Sequence, residues 1–237
     1  MKFQHGDNLD VDLSIALKHE FLRCEDAFYD FVETGEQLRR KGPIQGRWKA
    51  KNKNDVKRWL AFKRYNAYSR FVHHLYEFQI GAMKREASDT GQIQALDADI
   101  WIQKNAQRVL GGRRSAILRG TAPKWENDIS HYPEFVPMDF SKEFRKVRNV
   151  TLAHVSHERS SVSLSEFFTQ YHAFVMMTFD NCVGFWGCRE TNAFPELDGI
   201  TDFCFIDKSR NDSQAARDAP RTTERQSQIL GSIWNFF

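Results

Sequence analysis

Leu13, Leu17, Phe21, Cys24, Phe28 and Phe31 return at spacings of four and three. That period lines them along one side of an α-helix, whereas the side chains of a strand alternate between faces. The period recurs. Tyr68, Phe71, Val72, Leu75, Phe78, Ala82 and Met83 form a second stripe, and Leu164, Phe167, Phe168, Tyr171, Phe174, Thr178 and Cys182 form another. A chain patterned this way must bury helical stripes against one another, and the expected architecture is an all-α, antiparallel bundle of about five helices. With 13 glycines and 6 prolines in 237 residues, a loop-rich all-β fold is disfavoured. Phenylalanine occurs 20 times, so aromatic packing is expected to dominate the core.

The stripes and their punctuation set the predicted helices. The first runs from Val11 to Thr34 and stops at Gly35, with Gly42-Pro43 beyond it. The second covers Asp55 to Ala87. The third covers Leu96 to Leu110, breaks at Gly111-Gly112, and resumes briefly over Arg113 to Leu118. A loop from Gly120 to Pro137 is predicted to be ordered by Trp125 and Tyr132. The fourth helix starts near Asp139 as N-cap. The fifth starts at Ser163-Leu164-Ser165-Glu166, a capping-box pattern. After Gly187 the period weakens. The expected organisation is therefore a bundle over residues 1–187 and an irregular C-terminal extension over 188–237, polar and mobile in part.

Composition bounds the partners. Net charge is +3 and the isoelectric point is near 8.6, which permits nucleic acid without requiring it. The cysteines, Cys24, Cys182, Cys188 and Cys204, contain no Cys-x-x-Cys pair and match no common zinc site. The N-terminus has no apolar signal core, and the most apolar run, Phe167 to Phe179, is too short to span a bilayer. Reduced thiols, a cytoplasmic location and no membrane partner are expected.

One cluster carries chemistry. Near the end of the fourth helix the sequence reads Arg148-Asn149-Val150-Thr151-Leu152-Ala153-His154. A fixed cation, an adjacent amide and a titratable imidazole suit work on a phosphodiester. On a straight α-helix the apolar seam is Phe140, Phe144, Val147, Thr151 and Val155, with Arg148 roughly 60° to one side and His154 roughly 60° to the other. The two would stand about 120° apart and roughly 9 Å along the axis, too far to form one compact site. Either the helix ends or kinks just before His154, or the seam meets a symmetry mate and two chains converge.

This arrangement resembles the HEPN superfamily, whose helical bundles carry Arg, a polar residue, a short spacer and His. The form here, with Asn149 directly after Arg148, is one the superfamily uses. The resemblance implies a metal-independent endoribonuclease, often a toxin or anti-phage effector, acting as a homodimer with two facing motifs, needing no cofactor, and open to an antitoxin or defence-system partner. It implies that His154 is the general acid/base at the ribose 2′-hydroxyl and leaving oxygen, and that Arg148 binds the scissile phosphate. Asn149 would orient the imidazole or the phosphate. Ser156 stands where some relatives have a tyrosine, so any activity that depends on that tyrosine is not expected.

Flanking residues extend the reading. Arg145 and Lys146 on the motif helix, and Arg47, Trp48, Lys49 and Lys51 in the basic stretch from Arg39 to Arg58, are candidate RNA contacts, with Trp48 stacking on a base. A solvated loop is the plainer reading of that stretch. Arg108, Arg113, Arg114 and Arg119 form a second basic cluster. His157 and Glu158 follow His154 at i+3 and i+4, but no further ligand is aimed there and no metal is expected; Glu158 orienting His154 is an intermediate reading. His73-His74 reads as hydrogen-bonded histidines on a packed helix. The alternatives to a nuclease are a non-catalytic dimerisation or RNA-binding module, and a DNA-binding regulator, the latter without a helix-turn-helix signature.

Overall fold

The structure is a computed structural model that describes residues 1–39, 53–153 and 162–185. Five α-helices account for most of them: α1 (Asn8–Arg39), α2 (Lys53–Glu86), α3 (Ala95–Leu118), α4 (Phe140–Arg148) and α5 (Leu164–Asp180). Among the described residues there is no strand, only an isolated antiparallel bridge from Lys2 to Asp89. The all-α class expected from the stripes holds. No described helix is long and apolar enough to cross a membrane. The chain divides into two compact units, Met1–Gly112 with Pro133–Asn192, and Arg113–Tyr132 with Ala193–Phe237. The expected boundary after residue 187 lies outside the described residues.

In the first unit, α1 and α2 run antiparallel. Ascending residues of one pair with descending residues of the other: Phe31 with Tyr68, Phe28 with Phe71, Glu20 with His74, and Asp10 with Arg85. α5 closes this pair, its Phe179 ring 5.4 Å from Phe21, 5.5 Å from Phe28 and 5.2 Å from Phe71. α4 joins through Phe140 and Phe144, which meet Phe167, Tyr171 and Phe174 of α5. Phe28, Phe71, Phe78, Phe140 and Phe144 are fully buried, and each such side chain contributes about 1.5–3 kcal/mol by leaving water.

Two predicted helix breaks are absent. α1 continues through Gly35, which serves packing instead: a Cβ there would lie 3.0 Å from Cζ of Arg64, whose guanidinium covers the Phe31 ring. α3 continues through Gly111 and Gly112, where an added Cβ would meet nothing within 4 Å. These two glycines therefore cost helix propensity without gaining a contact. Gly112→Ala is expected to stabilise the chain by roughly 0.5–1 kcal/mol in urea unfolding. A loss of stability would show that the position needs glycine.

The segment before α4 is held by side chains of α3. Gln103 donates to the carbonyls of Val136 and Pro137, and Gln107 bonds Glu134 and Val136. In the second unit, Tyr132 donates to Glu126 and its carbonyl accepts from Arg114, as expected for an ordering residue. Trp125 is 55% exposed and does not share that role.

α5 begins as its capping box predicts, with Ser163 Oγ accepting from the Glu166 amide at 3.1 Å. It also buries His172, whose Nδ1 lies 3.1 Å from the Tyr68 hydroxyl and whose ring stacks on Phe168. Burial, reinforced by Arg64, pushes this imidazole down to about 3. The unfolded chain then binds the proton more readily, so His172 favours folding above about pH 6.5 and loses that effect as pH falls toward 3. The slope is up to about 1.4 kcal/mol per pH unit. His172→Phe is expected to flatten the decline in unfolding free energy between pH 6 and 4; an unchanged slope would assign acid sensitivity elsewhere.

Candidate functional site

α4 is a nine-residue helix whose arginines flank a buried seam of Phe140, Phe144 and Val147. Asp139 occupies its N-cap position, as expected, but makes no capping bond. Its carboxylate accepts from the Tyr171 hydroxyl instead; burial, and after it this bond, pushes that phenol up to about 12. The α-helix ends at Arg148, and residues Asn149–Ala153 form a π-helical turn. The local sequence favours that loosening. The Asn149 amide divides its bond between the carbonyls of Arg145 and Lys146. Val150 and Thr151 are β-branched, and the Thr151 hydroxyl donates back to the Val147 carbonyl at 2.7 Å, a contact that bends helices. π turns are rare and concentrate at functional sites.

Arg148 sits at this junction with its side chain 28% exposed. Its Nε donates to Oε1 of Glu77 at 2.6 Å, and its Nη2 pairs with the same oxygen. Nη1 donates to the side-chain oxygen of Asn149 at 2.8 Å. The guanidinium also lies over the Tyr76 ring, 5.6 Å from its centre. Burial and then Asp99 push the Tyr76 phenol up to about 12, so the ring stays neutral and suited to a cation. The structure thus brings Arg148, Asn149, Tyr76 and Glu77 together. His154, with Ser156, His157 and Glu158, lies outside the described residues.

The two α4 cations that the sequence offered as RNA contacts, Arg145 and Lys146, face different neighbours. Arg145 is bound in a two-pronged pair, Nε to Oδ1 and Nη2 to Oδ2 of Asp99, both at 2.9 Å. Asp99 is buried, and its hydrogen bond raises the guanidinium's already high pKa. Lys146 is half exposed, with Glu143 at 3.5 Å. Of the two, Lys146 is the cation open to solvent. Arg47, Trp48, Lys49 and Lys51 lie outside the described residues. In the second basic cluster, Arg108 bonds Asn105, Arg113 pairs with Glu126, and Arg119 is exposed.

On α2, His74 is bonded as expected, with Nδ1 2.7 Å from Glu20. His73 differs: its buried Nδ1 has no hydrogen-bond partner among the described residues. Burial lowers its pKa, opposed by Glu77 and assisted by His74 and Arg148, so it is neutral near pH 7.

Sequence reasoning did not single out Glu77, Tyr76 or Asp99. The available signal was an acid enclosed by apolar residues, Tyr76-Glu77-Phe78 on α2 and Ala98-Asp99-Ile100 on α3, since a carboxylate beside a buried stripe needs a cation. A concavity of about 420 Å³ lies between the end of α2 and the start of α3, beside Met83, Lys84, Ile100, Trp101 and Lys104. No described residue of the motif lines it. Comparison with protein-family models, curated proteins and solved structures finds no match.

Proposed function

We propose that this chain is a metal-independent endoribonuclease of HEPN type, acting in the cytoplasm as a homodimer and serving as a toxin or phage-defence effector. The observation that carries the reading is the placement of Arg148. It is the last α-helical residue before a π turn, part exposed and oriented by the adjacent Asn149, with His154 following that turn in sequence.

In the proposed reaction the ribose 2′-oxygen attacks the neighbouring phosphorus. The P–O2′ bond forms and the P–O5′ bond breaks. His154 takes the 2′-hydroxyl proton, and a proton is returned to the departing 5′-oxygen. Arg148 neutralises charge on the non-bridging oxygens as it develops, and Asn149 holds the guanidinium in plane. The products are a 2′,3′-cyclic phosphate and a 5′-hydroxyl, with no outside oxidant or cofactor. Lys146 contributes an RNA contact from α4, joined in the proposal by Arg145, Arg47, Trp48, Lys49 and Lys51.

The test is cleavage of single-stranded RNA in EDTA. Wild-type protein should release cyclic-phosphate ends, and a 2′-deoxy substitution at the cleaved position should block release. A second reading is a non-catalytic helical module that dimerises or binds RNA. The pairing of Arg148 with Glu77 and of Arg145 with Asp99 favours it, because both arginines join α4 to neighbouring helices. RNA binding with no cleavage at any protein concentration would select that reading.

A further inference from the structure

The guanidinium of Arg148 already holds an anion. Its Nε and Nη2, the edge that receives an oxyanion in two-pronged fashion, both face Oε1 of Glu77. Its remaining edge is turned to Asn149, and its plane rests over Tyr76. Asn149 and Tyr76 are independent of Glu77, so the guanidinium has two supports that remain if the carboxylate leaves. Glu77 is free to leave on geometric grounds. Its side chain is 32% exposed, and no hydrogen bond to it other than from Arg148 is present among the described residues.

We infer that Glu77 occupies the anion seat of Arg148, and that an RNA phosphodiester binds by exchanging with this carboxylate. The inference rests on the reading of Arg148 as the phosphate ligand. The exchange is charge-conserving at the arginine, one monoanion for another. It is not neutral for the site, because a displaced Glu77 stays tethered to α2 close to the incoming phosphate. The wild-type site therefore binds RNA more weakly than its arginine alone would allow. It discriminates against weakly held anions, since a ligand must bring enough further contacts to offset the lost ion pair. Asp99 plays no such role for Arg145, because it is buried and grips both prongs at 2.9 Å. The groups facing this seat are Arg148, Asn149, Tyr76 and, one helical turn back on α2, His73.

The probe is a short single-stranded RNA with 2′-O-methyl riboses, which binds but cannot be cleaved, titrated by fluorescence anisotropy at fixed salt. Glu77→Gln should tighten binding on the order of two- to fivefold, the scale of one partly exposed ion pair. In the Arg148→Ala background, Glu77→Gln should bring no gain. Equal or weaker binding by Glu77→Gln overturns the inference, and so does a gain that survives Arg148→Ala. Glu77→Met, which keeps the volume of the side chain, replaces the glutamine variant if the latter does not fold by circular dichroism. Cleavage of unmodified RNA is scored separately. Tighter binding without cleavage would sink the nuclease reading and leave the exchange standing; cleavage with unchanged binding would do the reverse.

Discussion

His154→Ala is expected to slow RNA cleavage by about 10²–10⁴-fold while leaving RNA binding near the wild-type value, because general acid–base catalysis acts on the transition state and not on the bound ground state. Arg148→Ala should lose a comparable factor, about 10²–10³-fold, and weaken binding as well. Arg148→Lys separates charge from shape. A lysine keeps the cation but lacks the fork that reaches Asn149 and a phosphate together, so little activity should return. Single-turnover rates in EDTA provide the measurement. Undiminished cleavage by both alanine variants would remove the proposed chemistry from this motif. Arg148→Ala also leaves Glu77 without its partner, so its unfolding curve must be recorded beside its rate.

Asp10→Ala should be the most destabilising polar substitution in the first unit, at about 3 kcal/mol. The Asp10 side chain is 2% exposed and accepts from Arg85 Nε at 2.8 Å and from the Gly6 amide at 2.8 Å. Truncation strands a cation that also donates to the Phe185 carbonyl. Arg85 reaches solvent in part, which places the loss at the low end of the about 3–5 kcal/mol typical of a broken buried pair. Arg85, against the opposing effect of burial, holds the Asp10 carboxyl down at about 2. The pair's contribution is thus present above about pH 3.8 and is lost as pH falls through 2. Urea unfolding at pH 7 and again near pH 2 checks both statements. A difference between wild type and variant that does not shrink in acid would mean that Asp10 acts through shape and not charge.

Much of the helical framework was readable because period and capping are local. The stripe through Leu17, Cys24 and Phe28 is buried, and Ser163 caps α5 through the Glu166 amide as its spacing indicates. What could not be read was decided by partners distant in sequence. Gly35 looked like a stop, yet it lies where Arg64 comes too close for a side chain, and no local rule shows that. Gly111 and Gly112 looked like a break, but the rest of α3 outweighs a propensity cost of about 1 kcal/mol each. Asp139 stands at the predicted cap, and Tyr171 engages the carboxylate from another helix. At the candidate site, the sequence located Arg148 beside the seam and left two arrangements open, a helix end or kink just before His154 or a seam shared with a second chain; the α-helix does end at Arg148. The sequence could not show that Glu77, 71 positions earlier in the chain, would hold the arginine.

α4 spans nine residues, fewer than the roughly 12–15 that sustain an isolated helix in water. It persists because Asp99 grips it from α3, Glu77 from α2, and Phe140 and Phe144 anchor it in the aromatic core. A fragment carrying the motif alone would be an unstructured peptide with no oriented arginine. The proposed action on RNA would thereby be tied to completion of the tertiary fold: a chain still emerging or partly unfolded carries the same letters without the oriented arginine, and the site exists only once the bundle has closed.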